Sequence, residues 1–545
     1  MKDKRNQITR RKFIELGAVG VAGLALGTGL PGCAKPSHPK VNLIPLSERP
    51  IVDPSKKPNI IFLLSDQHRP DAMRCNGNPV IQTPNLDRMA AGGVNFTNSY
   101  CASPICQPSR ASILTGLYPH QTGITDNNQK DFDPQWETMP RNLQRAGYKT
   151  AIIGKTHFFS LNAKAFSFLI MDWGIDTREK DEFIQSFGYD DVIEEFDQYL
   201  HAYDRFGINI YSPYTDYLRE KGNFDKYQKQ IKSVWRYTPT HWDGQTSVLS
   251  QEEDETSFIT RQATNWLKQQ DKNRPFFLNV GYVAPHSPYI SDPIWADFYK
   301  DAEIPHGPQT PPEKVNELWG RYLDTRFKKS NSYRLTADYI RNSARQYYGQ
   351  VSLIDQGIGD IVRTLEEQGL ADNTWIIYSA DHGEMMGDYK LMEKQVFYKQ
   401  SVRVPTIIRP PKAVSPKTVD DMVEGIDLPA TILDIAGAEP LPKSSGQSLV
   451  PILNGAGSKK EFAFSELGQR VADKDGVRDK EKRWNFVSAA NQRYRLTYET
   501  TTKTACEFFD LQEDPDELTN RINDPAVKKL CNDMINDLIL PHMNA

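Results

Sequence analysis

Asn59-Ile-Ile-Phe-Leu-Leu-Ser-Asp66-Gln67 is the stretch from which the fold can be read. Positions 60–64 are apolar without a break, whereas a strand with one wet face would alternate. Such a strand is covered on both faces, and the polar pair Asp66-Gln67 stands just past its carboxyl end. Three further runs read the same way: Thr150-Ala-Ile-Ile153, Phe276-Phe-Leu-Asn-Val280 and Trp375-Ile-Ile-Tyr378. Helical periodicity falls between and beyond them, at about 84–92, 138–146, 256–270, 343–369 and 427–436, with Gly92, Gly147 and Gly437 as stops. This alternation predicts an α/β fold, a large mostly parallel sheet sandwiched by helices. A region rich in Pro, Gly and Ser at about 438–458 leads to a tail in which Arg493-Tyr-Arg-Leu-Thr-Tyr498 and Glu507-Phe-Phe-Asp-Leu511 read as a smaller antiparallel sheet with a final helix. The expected division is 58–455 for the α/β domain and 456–545 for the C-terminal subdomain. Residues 181–245, dense in Tyr, Phe, Trp and Asp, break the alternation and read as an insertion over the main domain.

The strand candidates end in polar groups suited to one site: Asp66-Gln67, Lys155-Thr-His157, Pro285-His286 and Asp381-His382. Ligands of open α/β sheets bind outside the carboxyl ends of the strands, so these groups can converge. Taken singly, each has an ordinary structural reading: Asp66 capping a turn, Lys155 solvated, His286 satisfied beside Pro285. Their joint occurrence favours a site. Cys106-Gln-Pro-Ser-Arg110 adds a further element. Pro108 suits a first helical turn, and residues 106 and 110 share a helix face. The start of that helix offers free N–H groups and a positive dipole end to an anion.

The chain has 545 residues and a formal net charge of −4, which gives no footing for nucleic-acid binding. Lys2, Lys4 and Arg5 lead into Thr9-Arg-Arg-Lys-Phe-Ile14, then an apolar, Gly-rich run to Leu30. This reads as an export signal over residues 1–33, with the paired arginines of the twin-arginine route, which carries folded proteins. Leu30-Pro-Gly-Cys33 resembles a lipobox that would make Cys33 a lipidated first residue, with plain cleavage as the competing reading because of Pro31. The expected location is the bacterial cell envelope, periplasmic or lipid-anchored. Residues 34–57 read as a linker. Cys75, Cys101, Cys506 and Cys531 read as free thiols, since a domain of this size needs no staples.

Cys106-x-Pro108-x-Arg110, Gly154-Lys155-Thr-His157, Pro285-His286, Asp381-His382-Gly383-Glu384, Lys394 ahead of Arg403-Val404-Pro405, and the tail Phe509-Asp-Leu-Gln-Glu-Asp-Pro515 together resemble the type I, formylglycine-dependent sulfatases of the alkaline phosphatase superfamily. The resemblance covers nearly the whole exported chain. It implies that a formylglycine-generating or radical maturation enzyme oxidises Cys106 to an aldehyde, which is hydrated to a geminal diol. One diol oxygen attacks sulfur, and the second hydroxyl lets the aldehyde re-form and expel sulfate, a step closed to a plain serine. The implied catalytic residues are Cys106, Arg110, Lys155, His157, His286 and Lys394. Arg110, Lys155 and Lys394 hold sulfate oxygens, His286 protonates the leaving group, and His157 takes the proton of the second hydroxyl. The implied ligands of one divalent cation are Asp66, Gln67, residue 106, Asp381 and His382. Gln67 and His382 stand where many sulfatases have Asp and Asn, a combination similar to the branch of choline sulfatases and phosphonate monoester hydrolases. The oxygen-rich set favours calcium, with manganese as alternative.

The resemblance and the export signal together imply a sulfated poly- or oligosaccharide as substrate, and the insertion at 181–245 with the lack of net positive charge points to attack near a chain end. The aromatic group Trp235, Tyr237, His241 and Trp242 is placed to roof the site, His241 and Trp242 as sugar contacts, although simple packing would explain each of these rings singly. A phosphonate monoester or phosphodiester hydrolase would use the same machinery, as would a choline sulfatase. A non-catalytic glycan-binding lipoprotein is opposed by the complete catalytic set.

Overall fold

The computed structural model describes residues 44–50, 57–127, 130–160, 174–198, 209–236, 243–412, 414–415, 417–458, 460–472 and 478–545. The signal segment, Cys33 and most of the expected linker lie outside the described residues.

Eight strands form the main sheet: β1 (Asn59–Ser65), β2 (Val94–Phe96), β3 (Lys149–Gly154), β4 (Asp191–Glu194), β5 (Phe276–Tyr282), β6 (Thr374–Ala380), β7 (Thr406–Arg409) and β8 (Lys417–Val419). Their order is β8-β2-β7-β6-β1-β5-β3-β4. β7 runs antiparallel to both neighbours, and the other pairs are parallel. The continuous apolar reading of β1 follows from its central place. Ile60, Phe62 and Leu64 face one layer, with Leu428 and Ile432 of helix α8 (Asp427–Ile435); Ile61 and Leu63 face the other. That second layer holds Ile259 and Ala263 of α5 (Glu255–Leu267) and Ile354, Ile358 and Ile361 of α7 (Ala337–Glu367). Each such buried side chain contributes about 1.5–3 kcal/mol of transfer free energy. The other helices used below are α1 (Pro84–Ala91), α2 (Cys106–Thr115), α3 (Pro119–Thr122), α4 (Met139–Arg145), α6 (Glu317–Ser330), α9 (Lys528–Met534) and α10 (Leu540–Met543). No described helix is long and apolar enough to cross a membrane.

The smaller antiparallel sheet has four strands in sequence order: β9 (Ala463–Ala472), β10 (Arg478–Ala490), β11 (Tyr494–Glu499) and β12 (Thr504–Asp510). Only β11 and β12 are legible as strands from sequence; α9 and α10 stand where a single final helix is expected. Ion pairs tie this sheet inward. Lys460 meets Glu424 and Asp427 of the α/β domain, and buried Arg495 meets Glu507 and Glu517. Glu466 accepts from His120 Nδ1 of α3 and from His542 Nε2 of α10, both at 2.7 Å.

Three details depart from the sequence reading. The insertion at 181–245 is not wholly separate, because Asp191–Glu194 joins the main sheet as its edge strand. With only two apolar residues, that strand carries no usable pattern. Part of the expected linker is packed: buried Arg49 pairs with Asp190 and donates to the Tyr148 carbonyl at 2.8 Å. α7 starts at Ala337, six residues before the helix expected from 343, capped by the Thr336 hydroxyl, and already buries Ile340 in its first turn. Cys75, Cys101, Cys106, Cys506 and Cys531 are free thiols, in line with the sequence reading of the structural cysteines.

Candidate active site

Five neighbouring parallel strands, β6-β1-β5-β3-β4, end at one edge of the sheet. They deliver in turn Asp381 and His382, Asp66 and Gln67, His286, Lys155 and His157, and Asp197. Helix α2 lies against this edge with all ten residues buried and ends in the left-handed Gly116.

Asp66 and Asp381 are side by side because β1 and β6 are in register through Ser65 and Ala380. The backbone N–H groups of Gln67 and His382 both donate to Asp381 Oδ1, at 3.0 and 2.9 Å. Gln67 adopts φ +69° to do so, an uncommon conformation for a residue with a side chain. Tyr347 of α7 secures this turn by donating to the Gln67 carbonyl at 2.8 Å. Arg110 reaches across from α2, its Nε 2.8 Å from Asp381 Oδ2, its Nη2 3.5 Å from Asp66 Oδ2 and its Nη1 2.7 Å from the Lys155 carbonyl. The expected shared face of residues 106 and 110 is thus a shared reach toward Asp66.

Lys155 is placed by a close approach of backbones. Gly154 has φ +100°, and a Cβ there would stand 2.0 Å from the Gly281 carbonyl oxygen. Only glycine meets both conditions. The next N–H, of Lys155, donates to that same carbonyl at 2.8 Å. Lys155 Nζ lies 2.5 Å from Asp66 Oδ2 and pairs with Asp197 as well. Lys394 sits in a loop where Glu393 and Gln395 have φ of +67° and +73°. Arg326 of α6 holds this loop, donating to the Lys394 carbonyl at 2.6 Å. Lys394 Nζ meets Gln67 Oε1 and lies 3.4 Å from Cys106 Sγ. His382 Nε2 is 3.2 Å from the same sulfur and 3.6 Å from both Asp66 and Asp381. His286 Nδ1 is 2.6 Å from the Ser287 carbonyl, and the ring also bonds to Cys106. His157, at φ +59°, is near enough to Cys106 to help draw its thiol down.

Charge is concentrated where water is excluded: Cys106 is 1 % exposed and Lys155 2 %. Burial pushes the Cys106 thiol up, but Lys394, Lys155, His382 and His157 bring it well below its ordinary value. Burial opposes the charged form of Lys155, yet Asp197 and Asp66 hold it well above the usual lysine range. Burial and Lys394 disfavour a charged His286, while Asp197 and Asp66 raise it on balance. Asp66, Cys106, Asp381 and His382 offer ligand atoms all within 4.8 Å of one another. Two buried carboxylates with the Gln67 amide oxygen alongside fit a divalent cation. The Cys106 sulfur stands where an oxidised side chain of that residue would stand.

All the expected catalytic and metal residues therefore meet at this edge. Trp242, His241 and Tyr237, and the side chain of Trp235, lie outside the described residues. Asp197, Arg326 and Tyr347 escape the sequence reading, because a single polar residue in a helix or after a short strand carries no motif.

Residues 58–438 match the family model described as Sulfatase. The chain belongs to the sulfatase family. This sulfatase is a sulfuric ester hydrolase, and its family implies a divalent metal and a formylglycine. Residues 387–542 match the model described as N-sulphoglucosamine sulphohydrolase, C-terminal, a span that begins in the loop carrying Lys394. The sulfatase is 29 % identical to an arylsulfatase of Clostridium perfringens over 493 residues, 87 % of this chain and 92 % of the relative. It is 26 % identical to an N-acetylglucosamine-6-O-sulfatase of Bacteroides thetaiotaomicron, over 89 % of this chain and 87 % of the relative. A solved phosphonate monoester hydrolase of Agrobacterium radiobacter has the same fold, with TM-score 0.72 at 22 % identity, covering 89 % of this chain and 96 % of the other.

Proposed function

We propose that this sulfatase removes sulfate from a sulfated saccharide, using a formylglycine made from Cys106 by a maturation enzyme and a calcium ion held by Asp66, Gln67 and Asp381, with His382 beside them. The observation that carries the chemistry is the ring of Arg110, Lys155, Lys394, His157, His286 and His382 around one buried position, residue 106. The saccharide is supported by the sugar-sulfate activity that names the Bacteroides thetaiotaomicron relative. Calcium is supported by the oxygen-rich donors, which suit a hard cation. In this family the oxidised side chain supplies the nucleophile, and the cation draws charge from the reacting ester.

The chain's own groups do the rest. Lys155 and Lys394 offer ammonium hydrogens to sulfuryl oxygens and neutralise charge that grows there in the transition state. Arg110, expected from the resemblance to hold a sulfate oxygen, instead directs its donors to the two carboxylates and the Lys155 carbonyl and locks them in one geometry. His286, its Nδ1 committed to the Ser287 carbonyl, turns its Nε2 to the leaving alcohol and protonates it. His157 takes a proton from residue 106.

The amino-terminal sequence supports export by the twin-arginine route into a bacterial envelope, with lipid attached at Cys33. The α/β domain and the C-terminal sheet are read as subdomains serving one site. The deciding experiment is sulfate release from a panel of defined sulfated saccharides, with choline sulfate and a phosphonate monoester as controls. Turnover of a sulfated saccharide at least tenfold above both controls supports the proposal. Preference for either control transfers the substrate to that class.

A further inference from the structure

Asp197 belongs to no motif read from the sequence, yet it stands inside the site. β4 pairs in parallel with β3, and the pairing runs on as the Glu195 N–H donates to the Gly154 carbonyl at 3.3 Å. The chain then carries Asp197 to the edge where β3 releases Lys155. Phe196 anchors the turn by packing edge-on against Phe159, ring centroids 5.0 Å apart. Asp197 is 5 % exposed and Lys155 2 %, so their ion pair is shielded from solvent.

Asp197 is also the charged member of its segment. Burial holds the carboxyls of neighbouring Glu194 and Glu195 well up, toward the protonated form. Burial pushes Asp197 the same way, but Lys155 first, then His286 and His157, bring it down. Around residue 106, the carboxylates Asp66, Asp381 and Asp197 face the side-chain cations Arg110, Lys155 and Lys394, to which the proposed divalent cation would add its own positive charge. Without Asp197 the same side chains carry an excess of one positive charge.

We propose that Asp197 is a specificity-determining residue, which positions Lys155 and lowers the positive charge of the pocket so that singly charged esters are preferred over doubly charged ones. A sulfate monoester carries one negative charge, and a phosphate monoester above neutral pH carries two. An ester oxygen bound to Lys155 would share that ammonium with the Asp197 carboxylate, at about 6 Å from the carboxylate to the centre of the ester's charge. At an effective dielectric of about 20, one extra unit charge at that range changes binding roughly 30- to 100-fold. This inference rests on the ester-hydrolase reading of the site.

The test compares the matured full chain with Asp197→Asn on three aryl esters of one leaving group: a sulfate, a phosphate monoester and a phosphonate monoester. The expected result is a rise of at least tenfold in kcat/KM for phosphate relative to sulfate. The phosphonate, singly charged like the sulfate, keeps its ratio to sulfate within threefold. Asp197→Glu retains the wild-type ratios. An equal loss on all three esters marks a purely structural residue and overturns the proposal. If Asn does not fold, Asp197→Ser must shift the phosphate ratio where Glu does not, and failure to shift it overturns the proposal equally. Absence of turnover by the wild type on all three esters overturns the site reading together with this inference.

Discussion

Replacing Gly154 by alanine tests how far the placement of Lys155 depends on a missing side chain. At φ +100° an alanine is held in a region L-residues avoid, a strain of about 1–3 kcal/mol. Its Cβ would also lie 2.0 Å from the Gly281 carbonyl oxygen, so β3 and β5 must part by about 1.4 Å to reach an ordinary contact. That separation stretches the 2.8 Å bond from the Lys155 N–H to the Gly281 carbonyl, a further loss of about 1 kcal/mol. The sum is about 2–4 kcal/mol of stability. Lys155 follows directly, and its carbonyl holds Arg110, so the same shift misplaces two cations of the site. A displacement near 1 Å costs about 10²-fold in rate. Gly455→Ala is the control, since Gly455 has φ +95° but nothing within 4 Å of its Cβ, and it isolates the backbone strain. Urea unfolding and kcat on an aryl sulfate are measured for both variants. Gly154→Ala should exceed Gly455→Ala by at least 1 kcal/mol and lose most of its turnover. Equal stabilities for the two variants, or turnover within threefold of wild type, refute the reasoning.

Three further outcomes follow from named groups. Chelation should abolish turnover, and Asp381→Ala should be more damaging than Gln67→Ala, because it removes a charge facing the cation site; metal content and kcat of both variants check this. Glu195 is held by burial at about 8, above its ordinary carboxyl value, so the unfolded chain ionises first as pH rises. Stability should therefore fall between about pH 4.5 and 8, by up to about 1.4 kcal/mol per unit, and then level off. Glu195→Gln should flatten that decline in urea midpoints across this range, and an unchanged slope would assign it to other groups. His542→Ala removes the ring stacked on Phe464 at 4.0 Å and one of two imidazole donors to Glu466, and should cost about 2–4 kcal/mol. A loss below about 1 kcal/mol would show that α10 is not held by this cluster.

The elements legible in the sequence are those whose environment repeats along the chain. β1, β3, β5 and β6 are buried on both faces, so their runs are apolar but for Thr150 of β3 and Asn279 of β5, and their carboxyl ends can be located to within a residue or two. The polar residues just past those ends are therefore site candidates on sequence alone. Asp66, Gln67, Lys155, His157, His286, Asp381 and His382 come together as a consequence of parallel strand order. Cys106 and Arg110 are legible because helix spacing puts them on one face.

Tertiary structure decided what depends on partners distant in the chain. The edge place of β4, and with it the delivery of Asp197 to Lys155, depends on pairing with β3 rather than on local pattern. Arg326 supporting the Lys394 loop, Tyr347 securing Gln67, and Arg49 packing against Asp190 are single polar contacts between elements far apart in sequence. Periodicity records which face of an element is dry, so it reveals strands, helices and the ends where ligands bind. It holds no record of which charge will meet which across the fold, because that is set by strand order and by the few places, such as Gly154 against Gly281, where two backbones come close enough to touch.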